Sequence, residues 1–365
     1  MLYSVFKNNI RRVCLYVIAG SCLLSSFSVF ALCRVTNAGQ YTVNVYIQKY
    51  LASVGSELPE GSIIHSQRVI GFQDVSFFCD SSPRIRFDLV GGTLYPGTTN
   101  IYQTGIAGVG VRFRGTFDNK LYPYIVATGG LMNAQITGWL AFAIEFIKMG
   151  PIVSGGTFNQ SLMPEVRINL TDNDNQLLRL AYHTILGAID SLAFAVPSCV
   201  TPNFTWDLGS ITIDALRAKG DATQWVDTPV TLTNCPQFPG RLTDASGFIE
   251  YKITGRDAST VTQRGSAAPN TLTMMLRPNT AAIDSANGVI GTDSSATTHG
   301  FGVQLGSKQS GTYIPQDLST GIVLTPALNS SGTFTFPLGA RIIRTSDGIR
   351  GGALSSSVTY IINYQ

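Results

Sequence analysis

The sequence predicts an all-β protein built from two β-sandwich domains. Only 13% of its 365 residues are charged, and glycine is frequent, at 37 residues. Short segments with apolar residues at every second position recur along the chain and are separated by Gly, Pro, Asn and Ser. This composition and period are typical of strands and turns rather than of helical bundles, and the length suffices for two domains.

The first 31 residues predict an export signal rather than part of the fold. Three basic residues, Lys7, Arg11 and Arg12, precede the apolar run 13–30, which is followed by the small residue Ala31. This order is typical of a secretory signal peptide cleaved after Ala31. A retained membrane anchor is the alternative, because the run is long enough to cross a bilayer. The four serines that interrupt the run favour cleavage.

Removal of this signal changes the net charge of the chain. The 25 Lys and Arg residues of the whole sequence fall to 22, which equals the number of Asp and Glu residues. No cluster of Lys and Arg remains that would suit a phosphate backbone. The mature chain is therefore predicted to carry no net charge and to bind no nucleic acid.

Four cysteines remain after the signal: Cys33, Cys79, Cys199 and Cys235. An even number of cysteines in an exported protein predicts disulfides, and four cysteines allow three connectivities. Two lie early and two lie late, so the pairs Cys33–Cys79 and Cys199–Cys235 are the economical choice, one in each domain. A zinc site is the alternative, but there is no C-x-x-C pair and the three histidines are scattered.

Between residues 32 and 196 the sequence predicts a series of short strands, which we assign to a first domain. Residues 41–47 alternate between apolar and other residues, and Val75 and Phe77 stand at strand spacing. The run 139–148 alternates with large apolar residues and predicts a buried strand. Residues 176–193 fit both a helical and a strand period, and their structure stays open.

A second β series is predicted beyond Pro197 and Pro202, which flank Cys199 and place the second domain at residues 197–365. Its strands are predicted at residues 204–213, 230–235, 248–253, 271–276, 300–305, 332–344 and at the end of the chain. Strands separated by Gly, Asn, Ser and Pro turns predict a sandwich in each half.

The last predicted strand bears on the completeness of this sandwich. Val358, Tyr360, Ile362 and Tyr364 occupy alternate positions, as in a half-buried strand. No turn or partner strand follows them in the sequence, which favours an unfinished sheet. An ordinary last strand inside a closed sandwich is the alternative.

The sequence contains no convincing catalytic or metal-binding set. His65, His183 and His299 have no HExxH or HxH neighbour, and no Gly-x-Ser-x-Gly elbow occurs. Residues 172–175 begin like a calcium loop, but the glycine and the glutamate that an EF-hand needs are absent. We therefore predict that the protein is not an enzyme and uses no metal and no cofactor.

Ligand-binding residues in the first domain are predicted from their chemistry. Shallow sites for sugars or extended protein use aromatic platforms with a few fixed polar groups. Two arginines share one strand face here, and a polar turn and several aromatic residues follow them. The candidates are Arg112, Arg114, Asp118, Asn119, Tyr122, Tyr124 and Trp139. For each of them, an ordinary core or surface position is the alternative.

The second half resembles the pilin domain of chaperone–usher fimbriae. Four segments carry the resemblance, together with a glycine fourteenth from the end and a penultimate tyrosine. They are Leu208-Gly-Ser-Ile211 after Cys199, Val230-x-Leu232-x-Asn-Cys235, Gly302-Val-Gln-Leu305, Phe336-x-Leu338-x-Ala-Arg341, Gly352 and Tyr364. The set spans about 165 residues, counted from Cys199 to the end.

The first half is similar to the receptor-binding domain of two-domain tip adhesins, especially the collagen-binding adhesin of type 3 fimbriae. The residues that carry this similarity are Cys33, Cys79, Tyr102-x-Thr104-x-Ile106-x-Gly-Val-Gly-Val-Arg-Phe113 and Pro197-Ser-Cys199. The resemblance implies that residues 32–196 bind a host ligand, either a matrix protein or a glycan.

The resemblance also implies how the chain is assembled. The pilin domain of that family is an immunoglobulin-like sandwich that lacks its last strand. A periplasmic chaperone fills the groove, and after passage through the outer-membrane usher the next pilin subunit donates a strand in its place. The groove residues implied here are Gly352, Val358, Tyr360, Ile362 and Tyr364, with Gln365 as the chaperone's anchor.

These expectations combine into one functional hypothesis. Residues 32–196 precede the pilin domain as a whole domain with no free strand to donate, so the subunit is expected at the end of a fibre. The sequence therefore predicts a tip adhesin that is exported through the periplasm to the cell surface. A structural minor pilin that binds no ligand and, less favoured, a secreted glycan-active hydrolase are the alternatives.

Overall fold

The fold of the chain is all-β, as the sequence predicts. The computed structural model describes residues 33–35, 41–71, 75–130, 133–136, 141–153, 156–188, 192–254 and 259–365. The predicted export signal and Trp139 lie outside these residues. Two short 3₁₀ turns, Gln160–Leu162 and Ile213–Ala215, accompany the strands.

Fourteen of the strands within these ranges lie before residue 196. They are β1 (Cys33–Val35), β2 (Tyr41–Ile47), β3 (Tyr50–Ser53), β4 (Ile63–Ile70), β5 (Val75–Cys79), β6 (Arg84–Val90), β7 (Tyr102–Gln103), β8 (Val109–Gly115), β9 (Tyr124–Ala127), β10 (Asn133–Ile136), β11 (Phe142–Lys148), β12 (Glu165–Thr171), β13 (Leu177–Ala188) and β14 (Leu192–Ala195).

Thirteen further strands lie after residue 196. They are β15 (Val226–Asp227), β16 (Val230–Cys235), β17 (Gly247–Ile253), β18 (Ser259–Gly265), β19 (Leu272–Pro278), β20 (Ala282–Asp284), β21 (Val289–Ile290), β22 (Phe301–Gln309), β23 (Thr312–Pro315), β24 (Ile322–Leu324), β25 (Gly332–Phe336), β26 (Leu338–Arg344) and β27 (Val358–Tyr364).

Two large sheets enclose the core of the first half. One has the order β18-β17-β4-β11-β8-β7, and the other has the order β2-β13-β12-β6-β9. Phe87, Phe113, Phe142 and Phe146 are fully buried in this core. All seven residues of β11 are buried because the strand lies inside its sheet between β4 and β8. The buried strand predicted at 139–148 is thus found at Phe142–Lys148.

The stretch 176–193, which fits two periods, contains strand rather than helix wherever the structure describes it. The strand β13 pairs antiparallel with β12 and parallel with β2, and β14 pairs parallel with β3. These neighbours are distant in sequence, so the tertiary pairing overrides the local helical spacing.

The second half has its own core between smaller sheets. Their orders are β15-β26-β22-β21-β20 with β23 beside β22, β16-β25, and β24-β19-β27. Leu232, Phe238, Leu272, Met274 and Phe336 are fully buried in this core. The separate core agrees with a second structural unit, although the first core also contains side chains from residues beyond 196.

Two predicted strands of the second half differ from the structure. The first strand was predicted at residues 204–213. Residues 204–212 join no sheet in the described part of the chain, and Ile213 begins the turn Ile213–Ala215. The predicted strand 332–344 is two strands, separated at Pro337. Proline has no backbone N–H to donate, and β25 pairs with β16 whereas β26 pairs with β22.

Two disulfides are present, one in each half. Cys33–Cys79 joins the paired strands β1 and β5, and Cys199–Cys235 joins the start of the second half to the end of β16. This is the pairing that the grouping of the cysteines favours.

The described residues contain neither a candidate membrane-spanning helix nor a candidate metal-binding cluster. No helix among them is long and apolar enough to cross a membrane. No group of three or more His, Cys, Asp or Glu side chains in that part of the chain is placed to hold a metal ion.

Candidate functional site

The strand β27 lies at an edge of its sheet. It pairs along its whole length with β19, from Val358 opposite Pro278 to Tyr364 opposite Leu272. Its other edge has no partner strand among the described residues. Val358, Tyr360 and Ile362 are partly buried against the core of the second half, as their alternation predicts. A strand with one free edge and an apolar inner face can accept another strand.

Two tyrosines fix β27 to the segment that enters the second half. The backbone N–H of Cys199 donates to the hydroxyl oxygen of Tyr364 at 2.9 Å. The hydroxyl of Tyr360 donates to the carbonyl oxygen of Pro202 at 2.5 Å. Burial, and to a smaller extent the neighbouring Tyr364, raises the pKa of Tyr360, so this hydroxyl stays protonated as the donor.

Residues 204–211 face residues 351–358 across a gap, and Val358 is the residue of β27 that lines it. Phe204, Trp206 and Leu208 alternate inward against the core, and the rings of Phe204 and Trp206 stack with centroids 5.2 Å apart. Residues 203–211 make no backbone–backbone hydrogen bond to the described part of the chain. This side of the gap therefore offers backbone groups that an inserted strand can pair with.

An open cavity of about 710 Å³ occupies this gap. Its walls are residues 204–211 on one side and 351–358 on the other. Its floor is formed by apolar side chains of the inner strands, namely Ile290, Phe301, Val303, Leu305, Leu338, Ala340 and Ile342. We call this cavity and its walls the groove. Its apolar floor suits an apolar segment.

The floor of the groove was not predicted from the sequence as part of the site. The signal was available, because Val303-x-Leu305 and Leu338-x-Ala340-x-Ile342 both alternate. These residues were interpreted only as interior strand positions. Which face of β22 and β26 remains uncovered depends on the packing around them, and alternation alone does not reveal it.

Gly352 lies in the wall of the groove because the chain passes close to Thr297. A Cβ at this position would lie 2.6 Å from Oγ1 of Thr297 and 2.8 Å from its carbonyl carbon. The neighbouring Ala353 donates its N–H to Thr297 Oγ1 at 2.8 Å and accepts from the Thr297 N–H at 2.9 Å. Because Gly352 has no side chain, the chain at residues 352–353 can pack directly against Thr297.

Gln365 continues the ladder beyond β27. Its N–H donates to the carbonyl oxygen of Thr271, and its oxygen accepts from the Thr271 N–H, both at 2.9 Å. Nδ2 of Asn270 donates to the same oxygen at 3.2 Å. The predicted role of Gln365 as an anchor for a chaperone stays a prediction.

In the first half, a buried carboxylate holds the two candidate arginines. Glu145 on β11 is 1% exposed, and its oxygens accept from Nε of Arg112 at 2.5 Å and from Nε of Arg114 at 2.7 Å. The pairing of β11 with β8 places all three side chains on one face of the sheet. Two positive charges thus share one negative charge, which leaves an excess of one positive charge on this face.

The turn after β8 adds polar and aromatic groups to this cluster. Nη1 of Arg114 donates to the carbonyl oxygen of Asn119 at 3.2 Å. The hydroxyl of Tyr124 donates to Oδ1 of Asp118 at 2.8 Å. Burial raises the pKa of Tyr124, and Asp118 raises it further. The structure therefore brings together Arg112, Arg114, Asp118, Asn119 and Tyr124.

Two predicted ligand contacts do not join this cluster. Tyr122 is 1% exposed and packs in the core against Phe87 and Phe142, so it cannot reach a ligand and this prediction is wrong. Trp139 lies outside the described residues. Phe117, in the same turn, is 66% exposed and was not predicted. Its position in a turn next to Asp118 and Asn119 is the signal that could have identified it.

Comparison with known proteins is consistent with this geometry. Residues 51–167 match the family described as the MrkD-like receptor binding domain. A fimbria adhesin protein of Klebsiella pneumoniae is 25% identical over 218 residues, which cover 58% of this chain. The predicted resemblance to fimbrial adhesins is confirmed. The match spans only 63% of the length of that relative, so the activity of the whole relative does not transfer directly.

Two solved structures are also similar in outline. The CupB6 tip adhesin from Pseudomonas aeruginosa is 12% identical with a TM-score of 0.33, and the similarity covers 91% of this chain and 93% of that one. The receptor binding domain of the plasmid-born adhesin MrkD1P of Klebsiella pneumoniae is 23% identical with a TM-score of 0.33, covering 47% and 98%. Neither similarity assigns a role to any residue of this chain.

Proposed function

We propose that this chain is a fimbrial tip adhesin that reaches the cell surface through the periplasm. Residues 32–196 bind a host surface ligand, either a matrix protein or a glycan, and residues 197–365 join the protein to the fibre. The second half is an incomplete immunoglobulin-like pilin domain that receives its missing strand from another polypeptide. No catalytic role is part of this proposal.

The groove is the observation that carries the proposal. It combines a cavity of about 710 Å³, a floor of apolar side chains and one wall, residues 203–211, that makes no backbone–backbone hydrogen bond to the described part of the chain. An unpaired strand edge next to an open cavity is an aggregation hazard in a free protein. A strand from another polypeptide removes the hazard, first from a periplasmic chaperone and then, after passage through the outer-membrane usher, from the next pilin subunit.

The position at the tip of the fibre is supported by the fold of the segment before Cys199. Residues Leu192–Ala195 form β14, which pairs with β3 inside the first half. Leu192 and Phe194 are buried there. A subunit in the middle of a fibre needs a free strand ahead of its pilin domain, and this segment is already paired within its own chain.

The receptor site is proposed on the outer face of β8 and the turn that follows it. Arg112 and Arg114 supply the cationic groups, and the exposed Phe117 provides aromatic surface in the turn beside Asp118. Fixed arginines suit a ligand that presents carboxylate or sulfate groups. Aromatic side chains suit sugar rings or extended peptide.

Substitutions on β27 test the groove. Ile362→Asp places a charge on the face of β27 that packs against the core of the second half, whereas the matched control Asn363→Asp places the same group on the opposite side. We expect Ile362→Asp to abolish accumulation in the periplasm of a fimbriated host and incorporation into fibres, measured by immunoblot. The control should accumulate normally, and a normal yield of the Ile362→Asp variant would contradict the groove assignment.

Adhesion is tested with the full chain displayed on fibres. Fibres that carry Arg112→Ala or Phe117→Ala are compared with unchanged fibres for binding to collagens, laminin and a glycan array. We expect at least tenfold weaker binding to one of these ligands at equal fibre numbers. Fibres with the unchanged chain that bind none of them would favour the structural minor pilin.

A further inference from the structure

The segment between the strands β16 and β19 contributes to a sheet of the first half, although both strands belong to the core of the second half. The strand β16 ends at Cys235 and β19 begins at Leu272, and both belong to the core of the second half. Between them, β17 and β18 form an antiparallel hairpin. This hairpin belongs to the six-stranded sheet of the first half, where β17 pairs with β4. We call residues 236–271 the docking arm.

The inner face of the docking arm completes the core of the first half. The strand β17 runs parallel to β4, with Ile249 opposite Gln67 and Lys252 opposite Ile70. Tyr251 and Ile253 are 4% and 3% exposed and lie in the core of the first half. Without β17, that core would lose these side chains and β4 would have an unpaired edge.

Charged and aromatic contacts hold the arm on the other face of the sheet. Arg68 on β4 donates from Nε and Nη2 to the two oxygens of Asp244, at 2.7 and 2.9 Å. Its guanidinium group lies 3.9 Å from the ring centroid of Phe248. The hydroxyl of Ser66 donates to Asp244 at 3.3 Å. A bidentate pair fixes orientation as well as proximity.

The base of the arm is tied to both halves. Arg241 and Ala268 exchange two backbone hydrogen bonds, at 2.9 and 2.8 Å, and so close the excursion. Next to them, Asn270 is 1% exposed and donates from Nδ2 to the carbonyl oxygen of Ser53 at 3.0 Å. Its Oδ1 accepts from the N–H of Gly240 at 3.2 Å. Asn270 thus bridges the first half and the arm.

We propose that the docking arm is an interaction surface through which the second half completes the receptor-binding sheet of the first. The partner of the β4 edge is a strand of the same chain, and it contributes backbone pairing, two core side chains and a bidentate ion pair. The six-stranded sheet is therefore complete only when both halves are present. A fibre that pulls on the second half pulls on this sheet through the arm as well as through residues 196–199.

A disulfide across β4 and β17 tests the docking directly in the full chain. Ile70 and Lys252 are register partners on the face that carries Arg68, so cysteines at both positions lie within disulfide reach. Both changes leave the Arg68–Asp244 pair intact. The four cysteines of the mature chain are already paired. We expect the Ile70→Cys, Lys252→Cys variant to form the new disulfide on air oxidation, detected by peptide mass mapping without reduction.

A matched control lies one strand further away. Thr260 on β18 is the register partner of Lys252, which places it two strands and about 10 Å from Ile70. The Ile70→Cys, Thr260→Cys variant should therefore remain largely unlinked. Equal linking in the two variants, or no linking in the first, would overturn the proposal. Neither ligand binding nor strand donation enters this readout, so its failure is separate from a failure of the proposed function.

Hydrogen exchange of the unchanged chain gives a second measurement that does not depend on any variant. If β17 covers the edge of β4, the amides of residues 67–70 should exchange as slowly as those of β11. Exchange of these amides at least tenfold faster than in β11 would show a free edge and would overturn the docking.

Discussion

The buried carboxylate of Glu145 is the strongest electrostatic feature of the first half. It is 1% exposed and accepts charged hydrogen bonds from Arg112 and Arg114. Glu145→Gln keeps the shape of the side chain but removes its charge and one acceptor oxygen. Two half-buried guanidinium groups then face each other without compensation. We expect this variant to unfold at a clearly lower urea concentration than the unchanged protein.

The size of this effect follows from the exposure of the three groups. Removing one partner of a buried ion pair costs about 3–5 kcal/mol. The side chains of Arg112 and Arg114 are 19% and 21% exposed, so water can partly solvate the charges that remain. Because solvent screening lowers the cost, we expect the free energy of unfolding to fall by about 2–4 kcal/mol.

Urea unfolding followed by far-UV circular dichroism measures this loss. Glu165→Gln is the matched control, because it makes the same chemical change in a pair whose Arg167 and Glu165 side chains are 36% and 37% exposed. Exposed pairs contribute about 0–1 kcal/mol, so the control should lose little. If both variants unfold at the same midpoint, the buried charge does not hold the arginines and the account of this cluster is wrong.

Three further changes test other parts of the chain. Gly352→Ala should destabilise the second half by about 1–3 kcal/mol in thermal unfolding, because the new methyl group collides with Thr297. Gly351→Ala is the control and should have no effect, because no atom other than those of its chain neighbours lies within 4 Å of a Cβ at that position. Cys199→Ser opens a disulfide that spans 36 residues and should cost the second half about 4 kcal/mol; equally fast proteolysis of both halves would contradict this. Burial lowers the pKa of His65 to about 3. Unfolding exposes it and restores a pKa near 6.5, so stability should fall by up to about 1.4 kcal/mol per pH unit from pH 6.5 towards 3; a His65→Phe variant with the same pH profile would refute this.

Much of the strand structure was predictable because alternation is a local property. Residues 41–47, 142–148 and 358–364 form strands where their sequences alternate. The high glycine content and the small number of charged residues also favour strands and turns over helices. The disulfides could be predicted because they join cysteines that are near each other in sequence.

Pairing could not be predicted, because it depends on neighbours that are distant in sequence. Residues 248–253 alternate and were expected in the second domain, yet β17 pairs with β4 of the first half. Residues 204–211 alternate equally well and pair with no strand. The alternation of apolar residues predicts which side chains of a strand face inward. It carries no information about which other strand pairs with it.

The sequence also could not predict how deeply each aromatic residue of the candidate receptor site is buried. Tyr122 and Tyr124 are two residues apart and have the same side chain. The first is fully buried between aromatic rings of the core, whereas the second reaches Asp118 at the surface turn. Both were equally good candidates until the packing around β9 was known.

Two sheet edges in this chain are treated in opposite ways, and the contrast bears on function. The edge of β4 is covered by the docking arm. The arm pairs β17 with β4, places Tyr251 and Ile253 in the core of the first half, and forms the Arg68–Asp244 ion pair. Among the described residues the outer edge of β27 has no partner strand, and Val358 at the start of β27 lines a cavity of about 710 Å³. An uncovered apolar edge is costly to keep in solution, and this chain has the means to cover one. This contrast supports the proposal that the groove receives a strand from another polypeptide.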